Sequence, residues 1–479
     1  MKYNISPETL TNIVVPDVNV DSMVNKKPYS VPDGDLSVCP SGNTFRRDEF
    51  GVAGREMLRL YTERKSIKKE MLVHEQKEVT AETEIKRRGL VCNEDLINYA
   101  LPDHDDVGVM EDMQLLKYHI YHSKQAVLKQ LGQQVRKILL NAFYGSLANV
   151  YSPLFDIRLA ESITLSGQLS IRWAGKCMNE YLNSIHKTTD VDYIIYTDTD
   201  SIYVSMEAVA ERLSNGGKNF DINNPDDLHK VVDALDKFCQ DHAEPALSRG
   251  YEEMHKYCNS YQQKMFMDRE VISDNSVFCS KKRYMMSVWN SEGVAFDTAY
   301  IKVMGMDMVK SSTPQTVRDA MKKTADIVLN GSEKQLHAFV KGFKEEFRQM
   351  PPEAIAFPRG VNKLEETYCR PNGTFRDDVT VVINSRAAIN FNNAVKSHGL
   401  DYPLIVNGDK IKYLHLTEPN KFQTHVFGFT DTLPKELDIH KKVDYDTMYE
   451  KTYGKPMSDL VNIIGWSLAP KASIDAFFM

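Results

Sequence analysis

At 479 residues and 54.7 kDa the chain exceeds what one hydrophobic core organises, so two or three domains are expected. Its 42% hydrophobic and 26% charged residues and its mean hydropathy of -0.41 exclude a disordered, collagen-like or channel-forming chain, and no apolar run approaches the ~18 residues of a membrane-spanning helix. The net charge of -7 disfavours a nucleic-acid partner unless the 59 Lys and Arg residues gather where a phosphate would lie.

The opening Met1-Lys2-Tyr3-Asn4-Ile5-Ser6-Pro7 lacks the charged-then-apolar layout of a secretory signal, which implies a cytoplasmic setting. Seven cysteines stand singly with no C-x-x-C pair, so reduced thiols are expected rather than a zinc module or a disulfide framework. Residues 1 to about 50, with turn signals at Pro32-Asp33-Gly34 and Ser41-Gly42-Asn43, predict extended segments and loops with little core. From about Gly54 through Arg87 the pattern is a long polar helix. The stretch Leu101 to Asp106 interrupts it, and residues 111 to 145 predict a second long helix, so the two should form an antiparallel hairpin projecting from the body. Residues 160 to 183 predict another helix. Asp192 to Tyr196 and Ser201 to Val204 predict two short strands flanking an acidic turn. The texture is α+β. A third block from about residue 303 opens with helices near Thr316 to Leu329 and Glu333 to Phe347, the latter stopped by Pro351-Pro352.

Four constellations could carry chemistry. In Tyr196-Thr197-Asp198-Thr199-Asp200-Ser201, carboxylates at i and i+2 on a hairpin turn can share a cation, and oxygen-only ligands suit Mg²⁺ held jointly with substrate phosphates; Asp and Thr are also ordinary turn residues. The apolar flanks predict a buried hairpin, where two unpaired carboxylates would be costly without a neutralising cation. In Lys137-Ile-Leu-Leu-Asn141-Ala-Phe-Tyr144-Gly145, helical spacing puts a cation, an amide and a ring on one face, fit for a phosphate, a polar rim and a base, or simply for a solvated amphipathic helix. Arg64 and Lys68 share a face of the other long helix; alone they are a solvated charge run, but with antiparallel helices they and Lys137 could clamp a polyphosphate. Lys281-Lys282-Arg283-Tyr284 suits a nucleic-acid backbone, with Tyr284 free to stack or to hydrogen-bond near a sugar. Glu270 is a third carboxylate candidate for the acidic turn, or a salt-bridge partner of Arg269.

Taken in order, these segments resemble the polymerase half of a family B DNA polymerase of the T-even-like bacteriophage type. Lys137 to Gly145 looks like the family's K-x-x-x-N-x-x-Y-G fingers motif, Tyr196 to Ser201 like its Y-x-D-T-D-S palm motif, and Lys281 to Tyr284 like its K-K-R-Y segment. Asn4 to Thr9 and Lys310 to Pro314 also read like stretches of the phage enzymes.

The resemblance implies an α+β palm, fingers and thumb arrangement: a small antiparallel-sheet palm at about 1 to 50 and 150 to 302, helical-hairpin fingers at about 51 to 149, and a mixed, mainly helical thumb at about 303 to 479. It makes Asp200 the metal-bridging carboxylate and Asp198 a carboxylate that tunes the metal's geometry or occasionally binds it; Glu270 remains a further metal candidate by its own position. Arg64, Lys68 and Lys137 would hold the deoxynucleoside triphosphate with support from Asn141, while Tyr144 and Gly145 would border the nascent base pair. Lys281, Lys282, Arg283 and Tyr284 would grip primer and template. Ala142 departs from the Ser of the phage enzymes.

The family's first polymerase motif, D-x-x-S-L-Y-P-S, and its exonuclease are absent from this sequence, which begins just before Asn4-Ile5-Ser6-Pro7. A split, phage-encoded enzyme in the bacterial cytoplasm is therefore expected. A second polypeptide would bring the exonuclease and the carboxylate that completes a site for two Mg²⁺ ions. The tail, with Ile474, Phe477 and Phe478, looks like a sliding-clamp binding segment. The alternatives are a non-catalytic subunit that binds DNA and tethers the clamp, and an interrupted or truncated gene product with no partner.

Overall fold

The computed structural model describes residues 1–31, 35–91, 100–215, 224, 227–370 and 374–470. The chain divides into two compact units, Met1–Ser273 with Val288–Tyr300, and Asp274–Ser287 with Ile301–Met479.

The first unit begins with β1 (Leu10–Val14), a short helix α1 (Val20–Val24), β2 (Leu36–Val38) and β3 (Asn43–Arg46), the strands forming an antiparallel sheet in the order β1-β3-β2. The expectation of little core here is corrected: Tyr3, Val15, Met23, Val38, Cys39 and Phe45 are buried in the unit's main core. Their partners come from far along the chain, as in Val38 N–H donating to the Cys258 carbonyl at 3.1 Å, so the local pattern could not show them.

Two 37-residue helices follow, α2 (Val52–Arg88) and α3 (Asp112–Ala148), each about 55 Å long at 1.5 Å per residue. They are antiparallel, with Glu63 paired to Arg136 at 3.0 Å, His74 to His122 at 2.7 Å and Arg88 to Asp112 at 2.9 Å. The start of α2 has no side-chain cap of its own, because its N-cap is Gly51. The segment Asn4 to Glu8 supplies the missing acceptors. Asn4 Oδ1 accepts from Gly51 N–H at 2.9 Å, the Glu8 carboxylate from Val52 N–H, and Ser6 Oγ from Ala53 N–H at 3.3 Å. Gly51 is required by this approach, since a Cβ there would lie 2.5 Å from Ser6 Cβ. At the far end Arg88 ties the arm together, donating to Glu84, to the carbonyls of Met110 (2.7 Å), Val107 (3.0 Å) and Gly108 (3.1 Å), and to Asp112. Ala81, Ile85, Met110, Leu115 and Leu116 form a small apolar core beneath it.

Helix α4 (Ile157–His186) is amphipathic and buries Leu159, Leu169, Trp173, Met178 and Leu182 in the unit's core. The hairpin β4 (Ile194–Asp198) and β5 (Ser201–Val204) follows, then α5 (Glu207–Asn215), α6 (Leu228–Phe238) and α7 (Glu244–Tyr257). The meander β6 (Val271–Ser280), β7 (Arg283–Ser291) and β8 (Val294–Met304) carries the boundary between the units.

The second unit continues with α8 (Gln315–Asn330), α9 (Glu333–Phe347), α10 (Pro352–Ile355), β9 (Phe357–Gly360), α11 (Glu365–Tyr368), α12 (Ile383–His398), β10 (Lys410–His415), β11 (Val426–Phe429), α13 (Tyr445–Tyr449) and α14 (Lys455–Ile463). The sheet order is β11-β10-β9, all antiparallel. Ser332 and Gln335 close a capping box at the start of α9. Phe343, Phe347, Tyr449 and Tyr453 interlock edge to face or tilted, with centroids 4.8 to 6.2 Å apart. Among the described residues no helix is long and apolar enough to cross a membrane, and Cys39, Cys177, Cys239, Cys258 and Cys279 are free thiols.

Candidate active site

The acidic turn is tighter than the sequence predicts. Strand β4 runs on to Asp198, which pairs with Ser201, leaving only Thr199 and Asp200 to turn the chain. Thr199 adopts φ of 52°, and Asp200 N–H donates to the Asp198 carbonyl at 2.6 Å. This is a three-residue turn centred on a β-branched residue in the left-handed region, a costly conformation of the kind that collects at functional sites. Thr199 Oγ1 donates to Asp198 Oδ1 at 2.9 Å. The hairpin's root is packed, with Tyr193 buried and Ile194, Ile202 and Val204 against the core. Its tip is not: Asp198 is half-buried and Thr199 and Asp200 are exposed. The expected burial cost of two carboxylates is therefore absent, because the apolar flanks are spent on the root.

Glu270 is exposed, immediately before β6. Arg269 is held by Asp236 and donates to Asn290 Oδ1 at 2.7 Å. The described residues form no group of three His, Cys, Asp or Glu side chains placed to hold a metal ion. Asp198 and Asp200 are thus a two-carboxylate donor set, of the right oxygen chemistry for Mg²⁺ but short of a full cage.

The antiparallel pairing of α2 and α3 brings the cationic segment of one to the polar face of the other. Arg64 Nε donates to Gln133 Oε1 at 3.2 Å, and Gln133 lies one helical turn before Lys137, on the line that continues to Asn141 and Tyr144. Lys137 and Asn141 are exposed. Tyr144 Oη lies 2.9 Å from Thr164 Oγ1 on α4, so the hydroxyl is anchored while the ring stays 41% exposed. A Cβ at Gly145 would meet nothing within 4 Å, leaving a bare backbone surface beside the ring. Lys68 is engaged elsewhere: its ammonium pairs with Glu292 at 2.7 Å. Gln133 and Glu292 carry no motif, and the sequence reading missed both.

Lys281 and Lys282 form the exposed two-residue turn between β6 and β7, with Lys282 at φ of 61°. Arg283 lies 3.4 Å from Asp307, which also takes Lys310 at 2.9 Å. Tyr284 is corrected: only 4% exposed, its ring packs against Phe278 at 5.6 Å and is not free to stack on a ligand, because it faces inward on the strand while the lysines occupy the turn. Ile474, Phe477 and Phe478 lie outside the described residues.

Residues 113–220, which run from α3 through the Asp198–Asp200 turn, match DNA polymerase family B. The chain is 30% identical over its full length to a DNA-directed DNA polymerase of Escherichia phage RB69, and 28% identical to that of Enterobacteria phage T4, covering 53% of each. A DNA polymerase of Pyramimonas orientalis virus is 26% identical over 82% of the chain and 30% of its own length. The family match and the two phage relatives, which together cover the whole chain, support a family B DNA polymerase. The chain corresponds to the C-terminal part of a T-even-like member, and spans about half the length of the two phage relatives it matches.

Proposed function

We propose that the chain is the C-terminal subunit of a split replicative DNA-directed DNA polymerase, adding deoxynucleotides to a primer 3′ end. The observation that carries this reading is the polar face on which Arg64 meets Gln133 one turn from Lys137, on the helix that bears Tyr144 and Gly145 in its last turns. In this reading a second polypeptide carries D-x-x-S-L-Y-P-S and the exonuclease and completes the site. Palm (1 to 50 and 150 to 302), fingers (51 to 149) and thumb (303 to 479) are the corresponding domains.

Asp198 and Asp200 would hold Mg²⁺ together with a carboxylate of the partner, with Glu270 a further candidate; bound there, the metal lowers the pKa of the primer hydroxyl and steadies the triphosphate. Arg64, Lys137 and, once free, Lys68 offset charge that builds on the departing pyrophosphate as the 3′-oxygen attacks the α-phosphate. Asn141 supports that contact. The Tyr144 ring and the open backbone at Gly145 form a flat border for the nascent base pair, where shape selects the match. Lys281, Lys282 and Arg283 contact the DNA backbone, and the tail with Ile474, Phe477 and Phe478 binds a sliding clamp. The setting is the cytoplasm of a phage-infected bacterium.

The test is primer extension with Mg²⁺ and four deoxynucleotides, comparing this chain alone with the chain plus a co-expressed polypeptide that ends near D-x-x-S-L-Y-P-S. Synthesis is expected only from the mixture, and Asp200→Ala should abolish it while DNA binding persists. Extension by the chain alone would remove the split arrangement. DNA binding without extension in the mixture would favour a non-catalytic, clamp-tethering subunit.

A further inference from the structure

We propose that Glu292 is a positioning residue that holds Lys68, and with it the α2–α3 arm, against the β7–β8 turn, in competition with a polyphosphate for the same ammonium group. The inference rests on reading Lys68 as a triphosphate contact.

The turn is built to present this carboxylate. Glu292 (φ 52°) and Gly293 (φ 91°) alone connect β7 to β8. Glu292 N–H donates to the Glu270 carbonyl at 2.6 Å, and Gly293 N–H to Asn290 Oδ1 at 3.1 Å, the same oxygen that takes Arg269. The backbone is thus fixed while the side chain reaches Lys68 at 2.7 Å, the two side chains 24% and 31% exposed. Partial desolvation makes such a pair stronger than an exposed one.

A second contact lies fifteen residues on, where Thr83 Oγ1 donates to Asp297 Oδ2 at 2.6 Å. That is about 22 Å further along the helix and, five residues past Glu292, about 17 Å along the other chain segment, so α2 runs beside the start of β8. Only one of the two contacts uses a cation. A triphosphate, with several negative charges, outcompetes a single carboxylate for Lys68 and leaves the Thr83 contact untouched. Glu75, two turns beyond Lys68, is pushed above the usual carboxylate range by burial, then by the charges of Glu292 and Glu78. Once Lys68 turns to phosphate, Glu292 faces Glu75 without its counter-charge, and repulsion favours separation of α2 from the turn at this point while the Thr83 contact holds.

The probe is a fluorescent N-methylanthraniloyl derivative of deoxyadenosine triphosphate with Mg²⁺, titrated into the full chain. Glu292→Gln should tighten binding about three- to tenfold, and Asp297→Asn should change it by less than about twofold. Lys68→Ala should weaken binding about tenfold or more, and adding Glu292→Gln to it should recover nothing. Melting curves establish that each form is folded, and Glu292→Asn, better suited to a positive φ, repeats the arm if Glu292→Gln is not. If Lys68→Ala weakens binding but neither Glu292 variant tightens it, the competition is overturned and the triphosphate reading stands. Equal tightening by the Glu292 and Asp297 variants would also overturn it, and no effect of Lys68→Ala would overturn both.

Discussion

The α2–α3 arm and the second unit are held by different forces. Along the middle of the arm the contacts between helices are polar: Glu63 with Arg136, Arg64 with Gln133, Glu70 with Lys129, and His74 with His122. Among the described residues the arm's cluster of buried apolar side chains lies at the tip, around Leu115 and Ile85. In the second unit α8, α9, α12 and the β9–β11 sheet enclose one continuous apolar core that includes Phe347, Leu336, Phe391, Phe427 and Tyr453. Apolar burial costs more to undo than exchange of polar contacts with water. The arm's contacts can therefore be broken and remade at modest cost, whereas the second unit is built to keep its shape.

The largest break in this comparison is a cavity in the second unit. Phe347 is fully buried and packs edge to face on Tyr449 at 5.4 Å. Phe347→Ala should cost about 3–5 kcal/mol, read as a lowered urea midpoint of that unit with hydrogen exchange in α2 and α3 unchanged. A loss shared equally with the arm would mean the two unfold together.

The corresponding site in the arm is Arg88, whose replacement by Ala strips hydrogen bonds from three carbonyls and two carboxylates at once. Exchange protection of residues 105–118 should fall about tenfold, while the base of the arm near Val52 keeps its protection. Retained protection at the tip would show that the small apolar core there suffices.

Periodicity and turn chemistry place both long helices, the Asp198–Asp200 turn and the paired helices α8 and α9 to within a few residues, because those signals are local. What the sequence did not reveal is what distant segments do for one another. Asn4, Ser6 and Glu8 read as part of a family-like string, yet their physical work is to cap α2, some 45 residues on. Lys68 reads as a ligand cation because its helical face is visible, while Glu292, reached only through the turn of another element, is not. Tyr284 reads as a free ring because a motif names residue types but not the side of the strand they face. Of the candidate site, the residue types and their spacing were legible; their exposure and pairings were not.

The cap on α2 tests the polar side of the comparison directly. Burial alone would raise the Glu8 carboxyl, but hydrogen bonds from Ser6 and from Val52 N–H, with the charge of Arg55, hold it below the usual carboxylate range. Folded Glu8 therefore binds a proton less readily than unfolded Glu8, and its contribution is complete above the unfolded pKa of about 4.3. It is lost as pH falls through the lower folded value. Glu8→Gln should remove about 0.5 kcal/mol near neutral pH, discounted for the exposure of the side chain, and should flatten the acid limb of stability below about pH 4.3. An unchanged acid limb would assign the capping to Asn4 and Ser6.

The smallest effect concerns the ion pairs along the arm. Arg136 and Lys129 hold the Glu63 and Glu70 carboxyls low, mainly through hydrogen bonds, but these pairs face solvent and are screened by salt within about 10 Å at 0.1 M. Raising the ionic strength should speed exchange in the middle of α2 and α3 while leaving the second unit, which depends on apolar burial, unaffected or slightly firmer. Glu63→Gln should remove part of the salt response and leave the tip near Arg88 as it was. A middle section that ignores salt would mean that Gln133 and the His74–His122 pair, rather than the charges, hold the helices together, and the arm's freedom to move would then rest on neutral hydrogen bonds.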